Sequence, residues 1–288
     1  MIKNFLSLIK FSHTIFAMPF ALTGFFGAAV MQPEGISWRL MGLVVLCMVF
    51  ARSAAMAFNR WLDRDIDADN PRTQIREIPS GQISPRAALL FVALNCVLFV
   101  ATTWFINRLC FWLSPVALLV VLGYSYTKRF TWLCHVALGL GLGLAPVGAW
   151  IAVTGAFHEA PILYGLAVLC WTAGFDVIYA LQDEKFDREH RLHSIPARFG
   201  GSGGLRLSKW LHLGAAAFMA AAGGRLSAWA PHTGWLLWAG TAIFLLLLVW
   251  QHRLVRPNDL SRVNLAFFTT NGIASLIFGA FAILDLLT

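Results

Sequence analysis

The sequence predicts an all-α membrane protein of nine transmembrane helices, arranged as two related four-helix units plus one, with its N-terminus in the cytoplasm. Composition is the first reason. Of the 288 residues, 58% are hydrophobic and only 12% charged, whereas soluble domains carry about 25% charged residues. Mean hydropathy is +0.69, and 12 Trp and 23 Phe supply the bulky apolar surface of lipid-facing helices. The second reason is a series of nine runs that reach or approach the roughly 20 apolar residues needed to cross a bilayer. The third is where the charges fall between them.

The runs lie near 11–31, 38–60, 86–106, 109–127, 132–153, 161–182, 205–223, 234–251 and 263–286. The first follows MIKNFLSLIK and lacks a small-residue cleavage site after its apolar stretch, so it reads as a span and not as a removed signal peptide. The seventh is rich in Ala and Gly and is the least apolar. No soluble domain or low-complexity tail interrupts the series, so residues 1–288 read as one domain. All of the 22 Lys and Arg except Arg39, Arg52, Arg108 and Arg225 fall in the N-terminal segment or in and around the loops after spans two, four, six and eight. The positive-inside rule places that side in the cytoplasm. Topology therefore accounts for the net charge of +8, and no nucleic-acid partner is implied. The surrounding partner is the lipid bilayer, and the expected location is a bacterial inner (cytoplasmic) membrane. The five cysteines are odd in number and form no CxxC, which supports neither a disulfide framework nor a zinc site.

Span two closes in NRWLDRDIDADNPRTQIREIPSG, with Asp63, Asp65, Asp67 and Asp69 in seven positions. Asn59, Asp63 and Asp67 are spaced by four, and Tyr179, Asp183 and Asp187 repeat that spacing 120 residues later at the end of span six. Residues four apart share a helix face about 6 Å apart along the axis. Two carboxylates so placed suit a hard cation; Mg²⁺ takes one or two of them, keeps several waters and completes its shell with phosphate oxygens. Asp63, Asp67, Asp183 and Asp187 are thus candidate metal ligands holding a Mg²⁺-diphosphate between two pairs, while Asp65 and Asp69 project elsewhere. Helix capping alone does not explain them, because acids are favoured at helix N-termini and these stand at C-terminal ends. A calcium loop is also excluded: the glycine and closing glutamate it requires are missing in either register.

Basic and phenolic groups gather at the same side. Arg72 and Arg76 follow span two, Tyr124 and Lys128 close span four in YSYTKR, and Lys10 opens span one. Such cations clamp a leaving diphosphate. Two ionisable groups lie deeper: Arg52 precedes Asn59 by seven residues and Asp176 precedes Asp183 by seven, about 10 Å further in. Each costs at least about 3 kcal/mol in a span and is a functional candidate by default. Arg52 and Asp176 either pair with one another or meet substrate.

With these residues in view, the chain resembles the UbiA superfamily of intramembrane prenyltransferases. NRWLDRDID is similar to that family's NDxxDxxxD, with Arg60 where Asp is common; DVIYALQDEKFD is similar to DxxYAxxDxxxD; RTQIREIPSG, YSYTK and LHSIPARFG complete the likeness, closest to the 4-hydroxybenzoate polyprenyltransferase-like branch, which includes enzymes of the futalosine route to menaquinone. The departure at Arg60 leaves the candidate metal ligands intact and bears on acceptor class, not on reaction type. The resemblance implies Mg²⁺-dependent transfer from a polyprenyl diphosphate to an aromatic acid such as 4-hydroxybenzoate or a dihydroxynaphthoate, in ubiquinone or menaquinone biosynthesis. It implies Lys128, Arg72 and Arg76 on the diphosphate, with Arg52 available to the acid's carboxylate and Asp176 near it. Another lipophilic acceptor, of quinol or haem type, is the alternative. A cation-coupled transporter is disfavoured, since both acidic clusters stand at a rim and not at a midplane break.

Overall fold

The computed structural model describes residues 2–9 and 16–288, and its regular structure there is helical. A short α1 (Ile2–Leu8) precedes α2 (Met18–Ala29), α3 (Trp38–Leu62), α4 (Arg64–Asp69), α5 (Pro85–Trp104), α6 (Arg108–Thr127) and α7 (Cys134–Thr154). Then come α8 (Glu159–Ala180), α9 (Glu184–Glu189), α10 (Ile195–Trp229), α11 (Trp235–Leu254) and α12 (Asn271–Leu287), the last preceded by a π-helical segment, Leu265–Thr270.

Starts and stops follow local chemistry. Ser37, Ser84, Asn107 and Ser194 each accept a backbone N–H of the first turn of α3, α5, α6 and α10, satisfying donors that a helix start leaves open. Asn107 also donates to Ile151 O at 2.8 Å, tying the start of α6 to the end of α7. Buried Asp285 on α12 caps α11 through Gly234 N and Leu237 N at 2.8 and 3.1 Å. Gly155, at φ 66°, ends α7 in the left-handed conformation that glycine adopts without strain.

Among the described residues, seven helices are long and apolar enough to cross a membrane. Of the other two expected spans, α2 runs for 12 described residues, and α10 covers 35 residues, kinked at Gly200 where φ 71° and ψ 170° are not helical, and extends beyond the expected 205–223 at both ends. Exposed Trp38, Trp104, Trp112 and Trp235 stand at the helix ends opposite the acidic motifs, as interfacial tryptophans do.

Packing runs α3 against α5 and α6, then α6 on α7, α7 on α8, α8 on α10, and α11 on α12, with α2 closing the assembly between α7 and α12. The expected equivalence of the two units is visible at the motifs. α4 (64–69) and α9 (184–189) are six-residue helices 120 residues apart, each following a long helix. It fails at α2, which lies along α7 and α12 while its counterpart α7 lies along α8.

Lipid offers little hydrophobic drive between helices, so close packing and interhelical hydrogen bonds carry the association. An aromatic cluster joins α2, α8, α11 and α12: Phe20 meets Trp171, Phe244 and Phe278 with ring centroids 5.5, 5.9 and 5.0 Å apart. Trp171 Nε1 donates to Asn271 Oδ1 at 2.9 Å, and Asn271 in turn donates to carbonyls of the π segment. α7 approaches α8 backbone to backbone: a Cβ at Gly143 would lie 2.5 Å from Gly165 O, whereas one at Gly148 on the same helix meets nothing within 4 Å. Gly143→Leu is therefore expected to destabilise the protein by about 1–3 kcal/mol or more, as overpacking does. A thermal-stability scan in detergent checks this, with Gly148→Leu expected to stay close to the parent.

Candidate functional site

Asp63 and Asp183 share a local geometry that the sequence does not announce. α3 stops at Asp63, with φ −91° and ψ 6°, and α8, after ending at Ala180, runs through a 3-10 turn to Asp183, with φ −103° and ψ 2°; a six-residue helix restarts at once after each. The expectation of one continuous helical face is corrected by this break, although Asp67 N still bonds Asp63 O at 2.7 Å. It also corrects the dipole argument: Asp67 and Asp187 occupy first turns of α4 and α9, where an acid is favoured. Asp63 and Asp67 are each 3% exposed, while the Asp65 side chain is 84% exposed and Asp69 is exposed too.

A cavity of about 280 Å³ gathers both motifs, and Arg52, Asn59, Asp63, Asp67, Arg72, Arg76, Tyr124, Lys128, Asp176, Tyr179, Asp183 and Asp187 all line it. Lys10 lies outside the described residues. A wider hollow over Leu181–Glu189 is open surface, with Glu184 paired to Arg188 at 2.9 Å.

In the cavity the carboxylates are held by bases. Asp63 receives Lys128 Nζ at 3.2 Å, Arg129 Nη2 at 2.8 Å and Asn59 Nδ2 at 3.1 Å. Asp67 receives Arg76 Nη1 at 2.6 Å, with Arg60 Nη1 at 4.0 Å from its other oxygen. Asp183 accepts Arg72 through Nε at 2.9 Å and through Nη2, and Asn70 Nδ2 at 3.2 Å. Arg72 also donates to Tyr179 Oη at 2.9 Å, and Tyr179 stacks on Phe267 of the π segment at 4.2 Å. Burial works against the Arg72 charge, but its bonds to Asp183 outweigh that and raise its pKa. Asp187 is bonded by Ser194, the residue that caps α10.

The compensation expected from a bound cation is thus supplied in part by the chain itself. These groups remain suited to a hard ion. All are oxygen donors, and Asp67 Oδ2 is buried with no hydrogen-bond partner among the described residues. No three acidic, His or Cys side chains converge among those residues, so an ion here draws on one or two carboxylates and takes the remaining ligands from water and phosphate.

Of the two readings of the deep pair, the structure does not show the mutual one. Asp176 Oδ2 meets His135 Nδ1 at 2.7 Å and not Arg52. Arg52 Nε is buried with no hydrogen-bond partner among the described residues. Arg60, the departure from the family pattern, stands beside Asp67 and Arg76 at the carboxylate end. The sequence reading missed Asn70, Arg129, His135 and Ser194. Arg129 adjoins Lys128 and was within reach of the motif; the other three join the site only through the fold.

The UbiA prenyltransferase family model matches residues 17–273. Among curated relatives, a 4-hydroxybenzoate octaprenyltransferase of Photobacterium profundum is 30% identical over 98% of this chain and 96% of its own length. Another of that name from Saccharophagus degradans is 31% identical over 84% and 79%. The apo structure of a UbiA homolog from Aeropyrum pernix K1 matches with a TM-score of 0.83 at 34% identity, over 95% of this chain and 98% of that one. A UbiA homolog from Archaeoglobus fulgidus bound to GPP and Mg²⁺ has a TM-score of 0.71 at 23% identity, covering 99% and 100%, a likeness of fold.

Proposed function

The chain belongs to the UbiA prenyltransferase family, and from that premise we propose that it transfers a polyprenyl group from a polyprenyl diphosphate to an aromatic carboxylic acid. It is a prenyltransferase. The acid is 4-hydroxybenzoate or a dihydroxynaphthoate, and the product serves ubiquinone or menaquinone biosynthesis. One observation carries the acceptor assignment: the Arg52 guanidinium lies on the wall of the cavity that holds both Asp pairs, and its Nε is buried with no hydrogen-bond partner among the described residues. A buried cation without an anion is costly, and a carboxylate is the partner whose two oxygens match it. The names of the relatives support the same acid.

The diphosphate lies between the Asp63/Asp67 and Asp183/Asp187 pairs. Lys128, Arg72 and Arg76, which neutralise those carboxylates in the structure described, turn to phosphate oxygens when substrate enters. Asp63, Asp67, Asp183 and Asp187 would hold Mg²⁺, one or two carboxylates to an ion, and the metal would supply charge neutralisation at the leaving group. The C1–O bond of the prenyl diphosphate breaks to an allylic cation, a ring carbon of the acceptor attacks C1, and a ring proton leaves. Phe16, Phe175, Phe267, Phe268, Leu138 and Leu142 on the cavity wall keep water from the cation. Tyr124 and Tyr179 line the diphosphate end, and Asn59 orients Asp63. The whole chain works as one domain of nine spans in a bacterial inner membrane, its site facing the cytoplasm. The basic-residue skew supports that orientation.

The test is transfer of a radiolabelled prenyl group in membranes, with a panel of aromatic acceptors and one donor. Transfer to a hydroxy acid, abolished by chelation and restored by Mg²⁺, is the expected result; no Mg²⁺-dependent product with any aromatic acid refutes the reading. Lys128→Ala is expected to weaken diphosphate binding about tenfold, the scale of one charge-assisted bond, and to leave acceptor binding nearly unchanged. Equal loss for both substrates would point to a collapsed α6.

A further inference from the structure

Arg60 and Glu77 are both buried, and neither takes part in the transfer proposed above. Arg60 Nη1 stops 4.0 Å from Asp67 Oδ2, and its Nε has no hydrogen-bond partner among the described residues. Asp67 Oδ2 has none either. A guanidinium and a carboxylate buried face to face ordinarily close to a charge-assisted bond of about 2.8 Å. Here that gap stays open, while Arg76 takes the other Asp67 oxygen at 2.6 Å. The charged groups around Arg60 are Arg76, Asp67 and one further anion, Glu77. The loop that carries Glu77 is pinned at this level of α3. Ser80 N bonds Arg76 O and Gly81 N bonds Ile78 O, each at 3.0 Å, and Ile83 N bonds Glu77 O at 2.9 Å. Gly81, at φ 75°, takes the turn without strain. Ile78 and Ile83 belong to a cluster with Leu8, Ala57, Ala88 and Val92, edged by Trp61. Ala57 and Trp61 flank Arg60 on α3, so this packing sets Glu77 at the height of the guanidinium. The Glu77 carboxylate in turn accepts the Ser7 hydroxyl from α1.

We propose that Glu77 is the standing counter-ion of Arg60 and thereby a positioning residue for the metal site: it holds the guanidinium off Asp67 and leaves Oδ2 open to a divalent cation. This rests on the reading of Asp67 as a metal ligand. The corner holds two cations, Arg60 and Arg76, and two anions, Asp67 and Glu77. Once Arg76 turns to phosphate and Asp67 is committed to the ion, Arg60 still has Glu77. Without Glu77 the only anion left to Arg60 is Asp67, and a buried guanidinium does not stay unpaired when a carboxylate is within reach. Guanidinium and metal would then compete for one oxygen. An acidic residue at position 60 would set no such competitor beside Asp67; the arginine does, and it needs an anion of its own. Ser7 orients that anion, which ties the N-terminal helix to the metal site.

The experiment titrates Mn²⁺, whose free ion is counted by its EPR signal, into the full chain in lipid nanodiscs. Saturating methylenediphosphonate, a diphosphate mimic that carries no prenyl group, is present throughout, and a protein-free titration is the control. Glu77→Gln is expected to bind Mn²⁺ about tenfold more weakly than the parent, the scale on which one charged hydrogen bond competes. Combining Arg60→Gln with Glu77→Gln removes the competitor as well and is expected to bring the affinity back to within about threefold of the parent, a coupling that two independent structural defects would not show. Arg60→Gln alone is expected to bind Mn²⁺ as tightly as the parent or more tightly, and this arm decides the matter even where Glu77→Gln does not fold. The proposal is overturned if Glu77→Gln keeps the parent's affinity, if the double variant binds as weakly as Glu77→Gln, or if Arg60→Gln is itself about tenfold weaker. A parent that takes up no Mn²⁺ beyond the protein-free control overturns both this assignment and the metal reading beneath it.

Discussion

Replacing Asp63, Asp67, Asp183 or Asp187 by Ala is expected to lower turnover by about a hundredfold or more, equivalent to roughly 2.7 kcal/mol of transition-state stabilisation. Each lines the cavity, and each removes an anion around which bases are already arranged. Asp67 is the most exposed to collateral damage, since Arg60 and Arg76 both stand against it and its loss leaves two guanidinium groups facing one another. Asp67→Asn, which keeps the shape and the hydrogen-bond acceptor, separates a lost charge from a lost fold. The matched controls are Asp65→Ala and Asp69→Ala. Both side chains point outward, so turnover is expected to stay within a few-fold, the scale of surface changes. Activity is measured beside size-exclusion profiles in detergent, so that a misfolded variant is not mistaken for an inactive one. Asp65→Ala as damaging as Asp63→Ala would falsify the division of the block into inward and outward faces.

That division was legible in the sequence because its cause is local: a spacing of four, repeated 120 residues later, puts like groups in like places. The break at Asp63 and Asp183 was not, because neither WLDR nor LQDE holds the Gly or Pro that usually marks one. A tertiary contact accompanies the first break: Arg129 Nη2 donates to Leu62 O at 3.0 Å, giving that helix-end carbonyl a partner from α6. The full extent of α10 escaped for a different reason. Hydropathy reports contact with lipid, and α10 packs along α8 with buried Ala215, Met219, Ala222 and Leu226, where small residues serve better than apolar bulk. His135 carried no signal at all. Its partner lies 41 residues away, and the pairing exists only because α7 lies closely along α8.

Arg52→Ala is expected to raise the acceptor's KM by one to two orders of magnitude while changing the donor's little. A hydrogen-bonded charge contributes about 1.5–3 kcal/mol, and a bidentate guanidinium–carboxylate pair belongs at the upper end. The structure strengthens this expectation by removing the competing one. An Arg52 already paired with Asp176 would have been a structural bridge, but Asp176 is held by His135, and Arg52 Nε is buried without a hydrogen-bond partner among the described residues. Arg52 also stands apart from the bases on the carboxylates: Lys128 and Arg129 serve Asp63, Arg76 serves Asp67 and Arg72 serves Asp183. On the proposed reading the diphosphate has its own cations, and the deep guanidinium meets the second substrate. Removing it also takes away a buried Nε that has no hydrogen-bond partner among the described residues, so the substrate-free variant is expected to be as stable as the parent, or more so. Arg52→Lys keeps the charge but not the planar fork, and should recover only part of the affinity. The decisive comparison offers parent and variant the acid and its decarboxylated phenol. If the parent prenylates the phenol as readily as the acid, Arg52 does not read a carboxylate. If it prefers the acid and Arg52→Ala abolishes that preference, the acceptor is an aromatic acid and this arginine is what selects it.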